Sequence, residues 1–135
     1  MYQMFLNYTI SGKQLPVEEM RQKIGVPASI YHKNEIISTK WGRTLPPQKN
    51  NRWVYSLESC HPVSVNSLLK KLYRDLLPYK SSICEYTRKN YSMIEIIIFT
   101  DFSKSNSIST NLTMESISII KTFHSKFSLV FIDSL

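Results

Sequence analysis

The order of apolar and polar positions divides this chain into strands and helices that alternate. Residues Tyr2 to Ile10 are rich in aromatic and aliphatic types and predict a first strand, ended by Ser11-Gly12-Lys13. Leu15-Pro16-Val17-Glu18-Glu19 reads as a helix entrance, with proline near the first turn and carboxylates at the positive end of the helix dipole. Val17, Met20 and Ile24 share one face of that helix at spacings of three and four. Gly25 is placed to cap it, and Pro27 prevents its continuation. Ala28 to Asn51 is a polar, basic, turn-rich connection that holds a short strand around Ile30 to Ile37. Arg52 to Ser59 is a strand, because Trp53, Tyr55 and Leu57 alternate with Val54 and Ser56.

Ser64 is a helix N-cap by type, and Val65, Leu68, Leu69, Leu72 and Leu76 form an apolar stripe reaching about Leu77. Pro78 interrupts this helix, and a further one runs to about Lys89. Tyr91 to Thr100 contains the most apolar run of the chain and predicts a central strand. After a Ser/Asn-rich loop, Thr113 caps a helix with Ile117, Ile120 and either Phe123 or His124 turned inward. Phe127 to Ile132 is a last strand. The order β-α-(β)-β-α-β-α-β predicts an α+β fold, with a single sheet of about four to five strands and helices packed mainly on one face. A length of 135 residues with no fixed-period repeat reads as a single domain spanning residues 1–135.

Composition narrows the picture. An apolar fraction of 42% is that of a globular chain, and three glycines leave little room for a Gly-rich phosphate cradle. No run approaches the roughly 18 apolar residues of a membrane-spanning helix, and the first residues lack a signal-peptide pattern. The expectation is a cytoplasmic protein with no membrane partner, in which Cys60 and Cys84 are unpaired small apolar residues. The net charge of +7 is unevenly spread. Lys33, Lys40, Arg43, Lys49 and Arg52 face Glu35 alone between His32 and Arg52. Between Lys70 and Lys89, six cations face Asp75 and Glu85. Such clusters can steer an acidic partner.

The chain also resembles a known bacterial family. The features that carry the likeness are a strand ending in Ile10-Ser11-Gly12, a helix closing in Ile24-Gly25-Val26-Pro27, and the basic connection Lys40-Trp41-Gly42-Arg43. The aromatic strand Arg52-Trp53-Val54-Tyr55-Ser56-Leu57, a leucine-rich helix, an aliphatic strand and the finish Leu129-Val130-Phe131-Ile132-Asp133 follow in order. Together they resemble the family catalogued as domain of unknown function 4279, over nearly the whole chain. The end departs from the family's aliphatic-Asp-aliphatic-Tyr finish, because Ser134-Leu135 follow Asp133. The resemblance implies an α+β fold and no catalytic residue.

Candidate chemistry is sparse. Cys60 and His61 are adjacent, but no pair has the spacing of a structural zinc site, so no metal is expected. No nucleophile elbow accompanies the serines. Glu18 and Glu19 suit a helix start, and Asp101 and Asp133 suit strand ends. Glu95 lies inside the aliphatic strand, where alternation with Ile94 and Ile96 turns it toward solvent or a sheet edge. No catalytic residue and no cofactor is assigned, and the chain reads as a non-enzymatic protein-binding module. Trp41 and Arg43 are its central anchors, while Lys33, Lys40, Lys49 and Arg52 steer encounter with a partner of acidic surface. An immunity protein that occludes a toxin is one concrete form. The alternative is nucleic-acid binding by residues 31–53, whose cations accompany Tyr31, Trp41 and Trp53.

Overall fold

In a computed structural model, which describes residues 3–35, 49–59, 64–100 and 111–133, five strands form one mixed sheet. The order along the chain is β1 (Gln3–Gly12), α1 (Val17–Lys23), β2 (Ser29–Tyr31), β3 (Asn51–Ser59) and α2 (Val65–Leu76). A 3₁₀ turn (Leu77–Tyr79), α3 (Lys80–Thr87), β4 (Tyr91–Thr100), α4 (Met114–Thr122) and β5 (Lys126–Asp133) complete it. Across the sheet the strands stand as β2-β3-β1-β4-β5. All neighbours are antiparallel except β4 and β5, which run parallel through the α4 crossover.

Period-two alternation sorts the strands into two faces. Met4, Leu6, Tyr8 and Ile10 of β1, Trp53, Tyr55 and Leu57 of β3, and Ile94, Ile96 and Ile98 of β4 point one way and are buried. The helices meet them there. Val17 and Met20 of α1 with Ile24 behind them, the α2 stripe Val65, Leu68, Leu69, Leu72 and Leu76, Ile83 of α3 and Ile119 of α4 join the same core cluster. Three aromatic rings cross at its centre. Tyr8 stands edge-on to Trp53 with centroids 6.0 Å apart and tilts against Phe123 at 5.5 Å. The fold is α+β, with the helical layer on one side of the sheet.

Helix ends follow local chemistry. Ser64 accepts from Ser67 N at 3.0 Å and Thr113 from Ser116 N at 3.1 Å, each satisfying an amide that has no intrahelical partner. Pro78 cannot continue α2, so the chain tightens into the 3₁₀ turn before α3.

Several expectations need correction. β1 runs past Ile10 to Gly12, because Ser11 and Gly12 still pair with Arg52 and Asn51 of β3. The cap of α1 is Ile24 in an extended conformation, not Gly25. Gly25 is instead needed for a close approach, since a Cβ there would meet the Tyr79 hydroxyl at 2.5 Å. β2 stops at Tyr31 in a turn where Glu35 Oε2 accepts from His32 N and Asn34 takes a positive φ of 68°; residues 36 and 37 lie outside the described residues. On α4 the buried positions are Ser116 and Ile119, with Phe123 after them, a phase offset from Ile117 and Ile120. Asn66 of α2 causes the offset, because its Oδ1 accepts from the Ser116 hydroxyl at 2.6 Å and draws that polar edge inward. Finally, β4 is interior but not the middle strand, and only alternate residues of its aliphatic run are buried.

Candidate functional site

The second face of the sheet carries no helix among the described residues, and the registers place its side chains in rows. At the Gly12 end one row crosses Tyr31, Arg52, Ser11 and Tyr91. The next holds Ser29, Val54, Thr9, Met93 and Lys126, followed by Ser56, Asn7, Glu95 and Ser128. Then come Glu58, Phe5, Ile97 and Val130, and last Gln3, Phe99 and Ile132. The face therefore grades along the strands from aromatic and cationic, through hydroxyl and amide, to apolar. Among its large hydrophobic residues, Tyr91 is 44% exposed and Ile132 39%.

The upper rows form a shallow concavity of about 470 Å³ on the sheet, lined among others by Asn7, Thr9, Tyr31, Arg52, Tyr91 and Glu95. Two cation–π contacts frame it. The Arg52 guanidinium lies 5.1 Å from the Tyr31 ring centroid, and the Lys126 ammonium lies 5.1 Å from that of Tyr91. Arg52 Nε is shut away from solvent with no hydrogen-bond acceptor among the described residues. Ser56 donates to Asn7 Oδ1 at 2.6 Å. Glu95 has neither an ion pair nor a hydrogen bond among the described residues, and it faces the open side as its alternation implies. Phe5 meets Phe99 edge-on, centroids 5.6 Å apart, at the apolar end. Arg52 and Lys126 balance Glu58 and Glu95, so the charges of the described residues on this face cancel, on a chain of net charge +7.

Among the described residues the cations of the second basic segment lie on the other side. Lys70, Lys71 and Arg74 of α2, Lys80 of α3, and Arg88 and Lys89 after it are all exposed on the helical layer. A second concavity, of about 830 Å³, opens between α1 and α3 and gathers Lys13, Lys23, Arg88 and Lys89 with Glu19 and Glu85. One of its cations is neutralised at close range. Lys23 Nζ lies 2.6 Å from Glu19 Oε1, and this hydrogen bond lowers the Glu19 pKa and raises that of Lys23. Tyr86 also lines the cleft; burial first, and the charge of Glu19 second, raise its phenol pKa.

Of the residues singled out from sequence, Trp41, Arg43 and Lys40 lie outside the described residues. Lys33 and Lys49 are exposed beside the ends of β2 and β3, where Asn51 Oδ1 accepts from Lys33 N at 2.7 Å. Among the described ones, Arg52 alone falls on the open sheet face. It points away from the helical layer, to which the second basic segment belongs. Trp53 is fully buried and offers no free stacking surface, while Arg52 lies over one face of the Tyr31 ring. Phe5, Ile97, Phe99, Val130 and Ile132 were not anticipated as surface residues. The available signal was the polar set Asn7, Thr9, Ser11, Ser56 and Glu58 at every second position, which marks one sheet face as uncovered.

Among the described residues no three His, Cys, Asp or Glu side chains converge to hold a metal, and no helix is long and apolar enough to cross a membrane. Neither the curated proteins nor the solved structures include a match to this chain. The family described as Domain of unknown function (DUF4279) matches residues 3–132, nearly the whole sequence and all five strands. The chain belongs to the DUF4279 family.

Proposed function

We propose that this protein is a non-enzymatic docking domain whose open sheet face receives a protein partner. The observation that carries the reading is the apolar end of that face, Phe5, Ile97, Phe99, Val130 and Ile132, rimmed by polar rows. Contiguous apolar surface framed by polar groups is characteristic of protein–protein contact regions. Tyr31, Tyr91 and Arg52 at the other end are of the residue types that concentrate binding energy.

Charge acts at a different place. The cations of the helical layer favour encounter with an acidic partner, whereas docking on the neutral sheet face does not require one. A toxin whose working surface is occluded by the docked domain is one form of partner compatible with this division. Lys33, Lys40, Lys49, Trp41 and Arg43 would then extend the contact from the connection between β2 and β3.

A pull-down of the full chain tests the reading, at about 300 mM salt, where the screening length falls to roughly 6 Å, with and without nuclease. The expected result is a stoichiometric protein retained by wild type and by Lys70→Glu/Lys71→Glu but lost with Ile97→Lys. Recovery that depends on nucleic acid, or retention by Ile97→Lys together with loss from the helical variant, refutes docking on the sheet. In that case the basic layer becomes the working surface.

A further inference from the structure

The structure carries one step more, which rests on the open sheet face being a docking surface: we infer that its occupant is a second copy of this chain. The two chains would pack sheet against sheet into a four-layer sandwich with the helices outside.

Three observations converge on this occupant. The first is charge. A chain of net charge +7 repels its own copy unless the two meet where the excess is absent, and the sheet face is where Arg52 and Lys126 balance Glu58 and Glu95. Facing sheets lie about 10 Å apart with a helix layer roughly 10 Å further out on each side, so the opposed cations are about 30 Å apart, beyond a screening length of ~8 Å. The second is area. Five strands at about 4.8 Å spacing and about eight residues of ~3.3 Å give roughly 600 Å² per copy, or about 1,200 Å² buried in all, the lower bound of a stable specific interface.

The third is the grading along the strands. A two-fold axis in the interface plane along β1, the middle strand, lays each cross-strand row on the same row of the copy. Apolar side chains then meet apolar ones, and hydroxyl and amide groups meet their like. β3 faces the copy's β4, which brings Arg52 over a second tyrosine, Tyr91, on the opposite chain.

The experiment is a mass measurement of the full chain by light scattering and sedimentation at roughly 100 µM, far above the dissociation constant of a micromolar dimer. Wild type is expected at twice the 15.8 kDa chain mass, with Ile97→Lys and Val130→Lys returning to a single chain mass while keeping wild-type circular dichroism. Each variant places two lysines in the apolar rows of the dimer and is expected to weaken it at least about 1,000-fold, which a micromolar dimer needs in order to dissociate at roughly 100 µM. An independent probe avoids disturbing the apolar rows. Asn7→Cys, beside the proposed axis, should give a dimer linked through position 7 by a bifunctional maleimide whose span matches the roughly 10 Å between facing sheets, identified by peptide mapping.

A wild-type mass of one chain at this concentration overturns the second copy as occupant. So does a dimer that persists in both lysine variants and forms no link at position 7. Failure of this inference is separable from failure of the docking reading. A monomeric wild type that still loses a pulled-down protein on Ile97→Lys keeps the face as a docking surface and assigns it to a foreign partner.

Discussion

Asn66 provides the sharpest test of how α4 is held. From the first turn of α2 its Nδ2 donates to Asn111 O at 2.7 Å, and its Oδ1 accepts from Thr113 N at 3.1 Å and from the fully buried Ser116 hydroxyl at 2.6 Å. One side chain thus ties the approach to α4, its N-cap residue and its first turn to α2. Asn66→Ala removes all three bonds. At about 1 kcal/mol net for each, and with Ser116 Oγ still 3.1 Å from the Thr113 hydroxyl, the loss should be about 2–3 kcal/mol. With a urea slope of about 1–3 kcal/mol per molar, the unfolding midpoint drops by roughly 0.7–3 M with the slope unchanged. Ser116→Ala removes only the hydroxyl and should cost about 1 kcal/mol. The double variant should cost about 1 kcal/mol less than the sum of the two, since both single changes break the same bond. An Asn66→Ala loss below about 0.5 kcal/mol, or a strictly additive cycle, refutes this account of why α4 turns Ser116 inward.

Three further outcomes are expected. Ile97→Lys, on the open face, should change urea stability by less than about 1 kcal/mol, whereas Ile96→Lys, fully buried one residue earlier, should unfold the protein; equal effects would refute the assignment of faces. Gly12→Ala drives a Cβ into the Asn90 amide, which itself donates to Tyr86 O at 2.9 Å. A loss of about 1–3 kcal/mol is expected, and in an Asn90→Ala background the further cost of Gly12→Ala should largely vanish. Burial, with Asp75 accepting its proton at 2.7 Å, pushes the Tyr55 phenol up to about 12. A folded pKa above the ordinary value of 10 favours the neutral phenol in the native state, so its contribution is whole below pH 10 and is lost as pH rises from 10 through 12. Tyr55→Phe should flatten the fall of stability between about pH 10 and pH 11, measured by urea unfolding, by up to one proton's worth.

The elements themselves were largely legible because local signals agreed. The alternation of Trp53, Tyr55 and Leu57, and the α2 stripe beginning at Val65 after Ser64, each state both a structure and its buried side. Strand order was not legible, because it depends on which distant pairs meet, and β1 makes both of its ladders with strands far along the chain. The inward phase of α4 was misread because a serine held by a neighbouring helix looks polar in isolation. The site was hardest to read. Ile97, Phe99, Val130 and Ile132 have the composition of core residues, and only the strand registers place them on the face that carries no helix among the described residues. Trp41 and Arg43, chosen by residue type, lie outside the described residues, and the described surface with both apolar and cationic groups lies on strands.

The position of β1 has a bearing on how the chain is made. The first of the five strands to be made is the one that ends in the middle, and its far neighbour β4 begins only at Tyr91. Any nascent or cleaved fragment that stops short of that residue leaves one flank of β1 as a bare edge, with Met4, Leu6 and Tyr8 lacking Ile98, Ile96 and Ile94, their partners on β4. Such a fragment is a template for intermolecular strand pairing. The native sheet therefore closes only after β4 has been made, and truncation before Tyr91 should generate aggregates in place of a smaller folded unit.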